Sequence, residues 1–198
     1  MGSTVKANNI DIWYEEFGDK TNQTVLLIMG ANANCMQWGQ EFIDALIAKD
    51  FHVVRFDNRD VGKSTWFGKE PVINKILKFL PSFILKTLVN SIFGLAVDDK
   101  GKFKFSENTK VQYNLSDMAQ DAVSLMNELQ IKKAHIIGAS MGGMITQLIA
   151  LDHSDKVLSI TPIMTSPGIQ NDSLSGPTNG LLEAMKKSFV FNLKGKLE

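Results

Sequence analysis

The sequence predicts an α/β protein: a mostly parallel sheet with helices on both faces. Three observations carry that expectation. Apolar runs at 24–29, 52–57 and 134–137 are nearly continuous, as in strands covered on both sides. Segments with apolar residues every three to four positions separate them, so strands alternate with helices. The third run ends in Gly138-Ala139-Ser140-Met141-Gly142 and passes straight into a helical pattern.

Composition bounds the reading. At 198 residues the chain is long enough for one domain with a sizeable core. Lys+Arg and Asp+Glu both number 21, so nothing in the charge balance favours nucleic acid or an acidic surface. The one cysteine, Cys35, excludes an internal disulfide and a thiolate zinc site, and is expected to pack or to line a pocket. Residues 1–9 hold no apolar stretch suited to a secretion signal, so a cytoplasmic, reducing compartment is the default.

Taken in order, 4–7 and 10–17 read as two strands joined by Asn8-Asn9, a pair that tolerates the positive φ of a two-residue hairpin. The buried strand 24–29 leads into a loop at 30–34. Residues 36–49 show helical spacing, with Trp38, Phe42, Ala45, Leu46 and Lys49 expected around one face. The strand 52–57 comes next, then a tight turn over 58–65 expected to be pinned by the charges of Asp57 and Arg59. Gly62-Lys63-Ser64 resembles the end of a phosphate-binding loop, but Asp57 stands where that motif needs glycine.

Residues 66–110 are too many for a connection without structure of its own. Lys75, Lys78, Pro81 and Lys86 interrupt the apolar stretch 72–97, which argues against a membrane span. Two short amphipathic helices broken at Pro81 fit best, one with Ile73, Ile76, Leu77 and Leu80 on a face, the other with Ile84, Leu85 and Leu88. A packed insertion is the plainer reading; a lid touching lipid or an apolar substrate is the sharper one. No element is assigned to 103–113. Ser116 is expected to cap a helix whose core face holds Met118, Ala122, Leu125, Met126 and Leu129. The 134–137 strand, a helix at 141–152 and a strand at 156–161 follow. A loop at 166–178 precedes a last helix at 181–191.

The Gly-x-Ser-x-Gly segment carries the chemistry. A strand that turns sharply into a helix holds Ser140 in strained backbone, with its hydroxyl exposed at the sheet end. Gly138 and Gly142 flank it because side chains there would collide across the turn. The Met141 amide, at the helix N-terminus, points where an oxyanion would form. A second amide is expected from the loop after the 24–29 strand, Ala31 first and Asn32 next. A serine also needs a base, normally a histidine oriented by a carboxylate. His52 opens a strand, His135 lies at the far end of the elbow strand and His153 ends the following helix, so none is expected to reach Ser140. Asp172 is a candidate acid with no histidine to orient.

Several local patterns resemble the α/β-hydrolase fold family, in the branch that includes aclacinomycin methylesterase. They are Leu-Ile-Met-Gly-Ala-Asn…Gln-Trp over 27–38, Phe-Asp-Asn-Arg-Asp-Val-Gly-Lys-Ser over 56–64, Tyr-Asn-Leu-Ser-Asp-Met-Ala-Gln-Asp-Ala-Val over 113–123, Gly-Ala-Ser-Met-Gly-Gly-Met over 138–144 and Val-Leu-Ser-Ile-Thr-Pro-Ile-Met over 157–164. The resemblance implies hydrolysis of a small apolar ester through an acyl-enzyme on Ser140, with Met141 and Ala31 as oxyanion donors and no cofactor. It implies a core over 1–175, from which the longer helical insertion at 66–110 departs, and a cap beginning at 176–198. It also places the family's acid and histidine beyond that cap, so the chain reads as C-terminally incomplete, with activity weak or absent. A second expectation follows. Without further strands the 156–161 strand would be a bare sheet edge, suited to pairing with another copy in a non-catalytic assembly module.

Overall fold

A computed structural model of the chain describes residues 2–68, 80–96, 112–167 and 186. The chain divides into two units, Met1–Phe67 with Val111–Pro167, and Gly68–Lys110 with Gly168–Glu198.

The first unit is built on six strands. They are β1 (Ser3–Ala7), β2 (Ile10–Phe17), β3 (Thr24–Ile28), β4 (His52–Phe56), β5 (Ala134–Ala139) and β6 (Val157–Ile163), in the order β1-β2-β4-β3-β5-β6. Asn8 and Asn9 both have positive φ, which closes the β1–β2 hairpin with Ala7 opposite Ile10. β2 runs antiparallel to β4, and β4, β3, β5 and β6 are mutually parallel. The predicted fold class therefore holds, with an antiparallel hairpin on one edge.

Strand alternation divides the core in two. Leu26, Ile28, Val54, Phe56 and Ile136 face α3 (Leu115–Glu128) and α4 (Met141–Asp152), packing on Met118, Ala122, Leu125, Met126, Ile145 and Ile149. Val25, Leu27, Val53 and Ala139 face the other way, onto Trp38 and onto Ile43 of α1 (Gln40–Ile47). Helices thus cover both faces, which is why these strands carry unbroken apolar runs.

Three local expectations need correction. The helix expected over 36–49 is a single 3₁₀ turn at Cys35–Gln37 followed by α1. Its buried side is set by Ile43, with Leu46 and Ile47 half-buried, whereas Phe42 and Ala45 are exposed and Trp38 is buried outside the helix. The cap of α3 is Asn114 rather than Ser116. The Asn114 side chain accepts from the Asp117 N–H at 3.1 Å, and the Asp117 carboxylate accepts from the Asn114 N–H at 2.7 Å, a reciprocal box that satisfies two donors at once.

In the second unit the described element is α2 (Ser82–Ala96), which starts directly after Pro81. Leu85 and Val89 are its buried residues, while Ile84 and Leu88 are exposed, so the face expected to hold Ile84, Leu85 and Leu88 together is split. The earlier insertion helix, the 181–191 helix and Asp172 lie outside the described residues. No described helix is long and apolar enough to cross a membrane.

Candidate functional site

β3, β5 and β6 run parallel, with Ile28 opposite Gly138 and Ala139 opposite Ile163, so their C-terminal ends share one edge. Ser140 stands there between β5 and α4. Its φ is 54° and its ψ −120°, a left-handed conformation that costs an L-residue of this kind roughly 1–3 kcal/mol. The surroundings hold it in place. Its N–H donates to the Ile163 carbonyl at 2.9 Å, and its carbonyl accepts from Gly143 N–H at 2.9 Å. The side chain is exposed, as the sequence predicts.

Close approach explains the two flanking glycines. A Cβ on Gly142 would lie 2.2 Å from the Ile28 carbonyl oxygen, because the first turn of α4 abuts the end of β3. A Cβ on Gly138 would lie 2.2 Å from the Gly142 oxygen and 2.3 Å from Thr146 Oγ1. The loop after β3 touches the serine directly: a Cβ on Gly30 would sit 3.1 Å from Ser140 Cβ and 3.6 Å from its Oγ. Ala31 therefore follows a residue in contact with Ser140. The Gly30–Ala33 turn closes through Ala33 N–H to the Gly30 carbonyl at 3.3 Å. The Met141 amide is the first of α4, a position with no intrahelical acceptor.

Residues after β4 hold that loop, a role the sequence reading did not assign. Asp57 accepts from the Cys35 N–H at 2.8 Å through Oδ1 and from the Lys63 N–H at 2.9 Å through Oδ2. Asn58 Nδ2 donates to the Met29 carbonyl at 2.9 Å. Ser64 Oγ donates to the Asp57 carbonyl at 2.6 Å and accepts from Trp13 N–H at 2.9 Å. The segment resembling a phosphate loop is thus a turn closed around a carboxylate. Asp57 pins it as expected, whereas Arg59 instead forks onto Asp121 with two contacts of 2.6 Å. Cys35 is fully buried, and burial followed by the nearby Asp57 charge pushes its thiol well above the usual range, which leaves it a packing residue.

The three histidines lie at the other end of the parallel strands. His52 pairs with Thr24 at the start of β4, its Nδ1 3.0 Å from Thr24 Oγ1. His135 begins β5, its Nδ1 2.8 Å from Ser159 Oγ and its Nε2 3.2 Å from Gln23 Oε1. It lies five positions before Ser140, about 16 Å at the usual rise. His153 caps the far end of α4, about 20 Å along that helix. None is brought to Ser140. Among the described residues no three His, Cys, Asp or Glu side chains form a set that could hold a metal ion.

A mostly parallel sheet that delivers an exposed serine on a strained strand-to-helix turn is the architecture of the α/β class of hydrolase folds. The chain belongs to the alpha/beta hydrolase fold family, whose model matches residues 23–194. It is 25% identical over 160 residues to the rhodomycin D methylesterase DauP of Streptomyces sp. strain C5, covering 81% of this chain and 41% of that one. It is 26% identical over 159 residues to DnrP, the rhodomycin D methylesterase of Streptomyces peucetius, covering 79% and 40%. The chain thus spans about two fifths of the length of the curated relatives it matches. A carboxylesterase structure from the thaumarchaeon Nitrososphaera gargenis superimposes with a TM-score of 0.58 at 22% identity, over 96% of this chain and 53% of that one, a likeness of fold.

Proposed function

We propose that this chain carries the nucleophile half of a carboxylic ester hydrolase. Ser140 Oγ attacks the ester carbonyl, and the negative charge that develops on its oxygen is taken up by the amides of Met141 and Ala31. The alcohol leaves with a proton, and water then releases the acyl group. Each oxyanion donor of this type contributes about 3 kcal/mol, so part of the rate enhancement survives without a base. The distances of His52, His135 and His153 leave turnover by the described residues weak. Asp172 remains the proposed acid. Likeness to proteins named methylesterases supports an ester as substrate, which we take to be a small apolar one.

The observation that carries this reading is the left-handed backbone of an exposed Ser140, held by Ile163 on one side and crowded by Gly30 on the other. Labelling with a fluorophosphonate tests it. Slow, stoichiometric addition to the wild-type chain is expected, with none in Ser140→Ala. Equal labelling of the two chains, or none in either, overturns it.

A second reading, a non-catalytic assembly module, is favoured by one observation. Among the described residues β6 is the last strand of the sheet, and Leu158, Ser159, Ile160, Thr161 and Pro162 are all exposed. On this reading the partner is a second copy of the chain.

A further inference from the structure

Eight described non-glycine residues have left-handed φ. Six have ordinary reasons. Asn8, Asn9, Asn32, Asp50 and Asp60 have short side chains that tolerate the conformation, and Gln130 lies one residue past the C-cap of α3. The remaining two are Ser140, with φ 54°, and Met164, with φ 49°. They are neighbours in space: Ser140 N–H donates to the Ile163 carbonyl at 2.9 Å, and Met164 is the next residue.

Met164 gains nothing evident from its strain. The residue is 67% exposed and takes no part in either half of the core. The backbone beyond it is fixed by the helix that carries the serine. Thr165 lies against Gly143, where an added Cβ would come within 2.6 Å of Thr165 Cγ2. Gln147 Nε2 donates to the Gly143 carbonyl at 3.1 Å and reaches the Ser166 carbonyl at 3.5 Å. A large flexible thioether is thereby left exposed, one residue beyond the carbonyl that holds the serine. Strain of this kind persists where surrounding structure over-determines it and gathers at binding sites. Methionine suits contact with hydrocarbon of varied shape.

We propose that Met164 is a specificity-determining residue, supplying the apolar contact for the acyl chain of an ester seated at Ser140. The acyl group is the part that becomes bonded to Oγ and so is held nearest to Ser140. This rests on the reading of Ser140 as nucleophile, and it narrows the substrate to esters with an acyl chain of several carbons.

The test uses the whole 198-residue chain and two probes, p-nitrophenyl esters of methylphosphonate and of hexylphosphonate. In each, Oγ bonds to phosphorus, p-nitrophenolate leaves with the P–O bonding pair, and the hydroxyl proton passes to solvent. Rates are read as mass added to intact protein. Wild type is expected to react faster with the hexyl probe. Met164→Asn keeps a residue that favours left-handed backbone but removes the apolar chain, and is expected to lower the hexyl-to-methyl ratio about tenfold. Met164→Leu is expected to preserve it. Should Met164→Asn not fold, Met164→Gly relieves the strain and gives the same loss. A ratio unchanged in the variants that lack the side chain overturns the proposal and leaves Met164 a purely backbone role. Wild type unreactive to both probes overturns the nucleophile itself, a different and recognisable failure.

Discussion

At the scale of single residues, local stereochemistry decides. Ser140 was legible because its environment is written in the five residues around it: two glycines for close approach, a strand before and a helix after. Met164 was not legible, since methionine has no preference for left-handed backbone and the contacts that follow it, Thr165 on Gly143 and Gln147 to the Ser166 carbonyl, join residues far apart in sequence. His52 shows the same divide. Its identity says nothing about burial, yet the ring is 2% exposed, and burial lowers its pKa from 6.5 against the opposing pull of Glu16, whose Oε1 lies 3.3 Å from Nε2. A depressed histidine pKa means that the unfolded chain takes up the proton first as pH falls. The stability the neutral ring contributes is full above about 6.5 and is lost as pH drops from there through the folded value. His52→Gln keeps a group for Thr24 and cannot titrate. Urea midpoints at pH 7.5 and 5.5 are expected to fall further in wild type than in His52→Gln. Equal falls would remove His52 as the cause.

At the scale of elements, long-range polar contacts fix how secondary structures meet, and these the sequence hides. The clearest joins three of them. Arg59, after β4, forks onto Asp121 of α3, and Asn8 of the β1–β2 turn donates to the same carboxylate at 2.7 Å. The rings of Phe67 and Tyr113 lie 5.1 and 4.8 Å from the guanidinium, and Asp60 accepts from Phe67 N–H and Tyr113 O–H, both at 2.6 Å. Phe67 is the last residue of the first unit before Gly68–Lys110, and Tyr113 follows closely after it, so one arginine gathers both stems of the insertion. Burial raises the Asp121 pKa, and the contacts from Arg59 and Asn8 oppose the rise. Removing one partner of such a buried pair costs more than the pair contributes, because the other charge is stranded. Arg59→Met is expected to destabilise the core by about 3–5 kcal/mol, read by chemical denaturation. Arg59→Met combined with Asp121→Leu is expected to regain most of it. An additive double variant would mean that the pair does not act as a unit. The apolar period was enough to find α3, but the cap at Asn114 needed its reciprocal partner Asp117, and the buried side of α1 depended on which strand lay beneath Ile43.

At the scale of the whole molecule, the sheet order was the least legible feature: alternation of strands and helices gives parallel strands without saying which lie side by side. Among the described residues that order leaves β6 at an edge, and its backbone orientation can be worked out. The Ile163 carbonyl points inward, to Ser140 N–H. N–H and C=O groups of alternate residues share a side, so those of Ile160 and Pro162 face outward along 159–163, the stretch that pairs with β5 without a register shift. Pro162 has no N–H to offer, which leaves Ile160 as the outward donor of that stretch. Two copies meeting antiparallel about Ile160 use that donor in each strand and keep Pro162 at the end of the ladder. Leu158 and Ile160 are 42% and 36% exposed, so the same pairing covers apolar side chains. On the assembly reading a dimer is expected by light scattering at tens of micromolar. Ile160→Lys places a charge in the centre of the ladder, the device natural edges use against pairing, and is expected to give a monomer with an unchanged thermal midpoint when both chains are diluted. A wild-type monomer at that concentration would rule out the self-pairing edge and leave the Ser140 reading untouched, since the two draw on different observations.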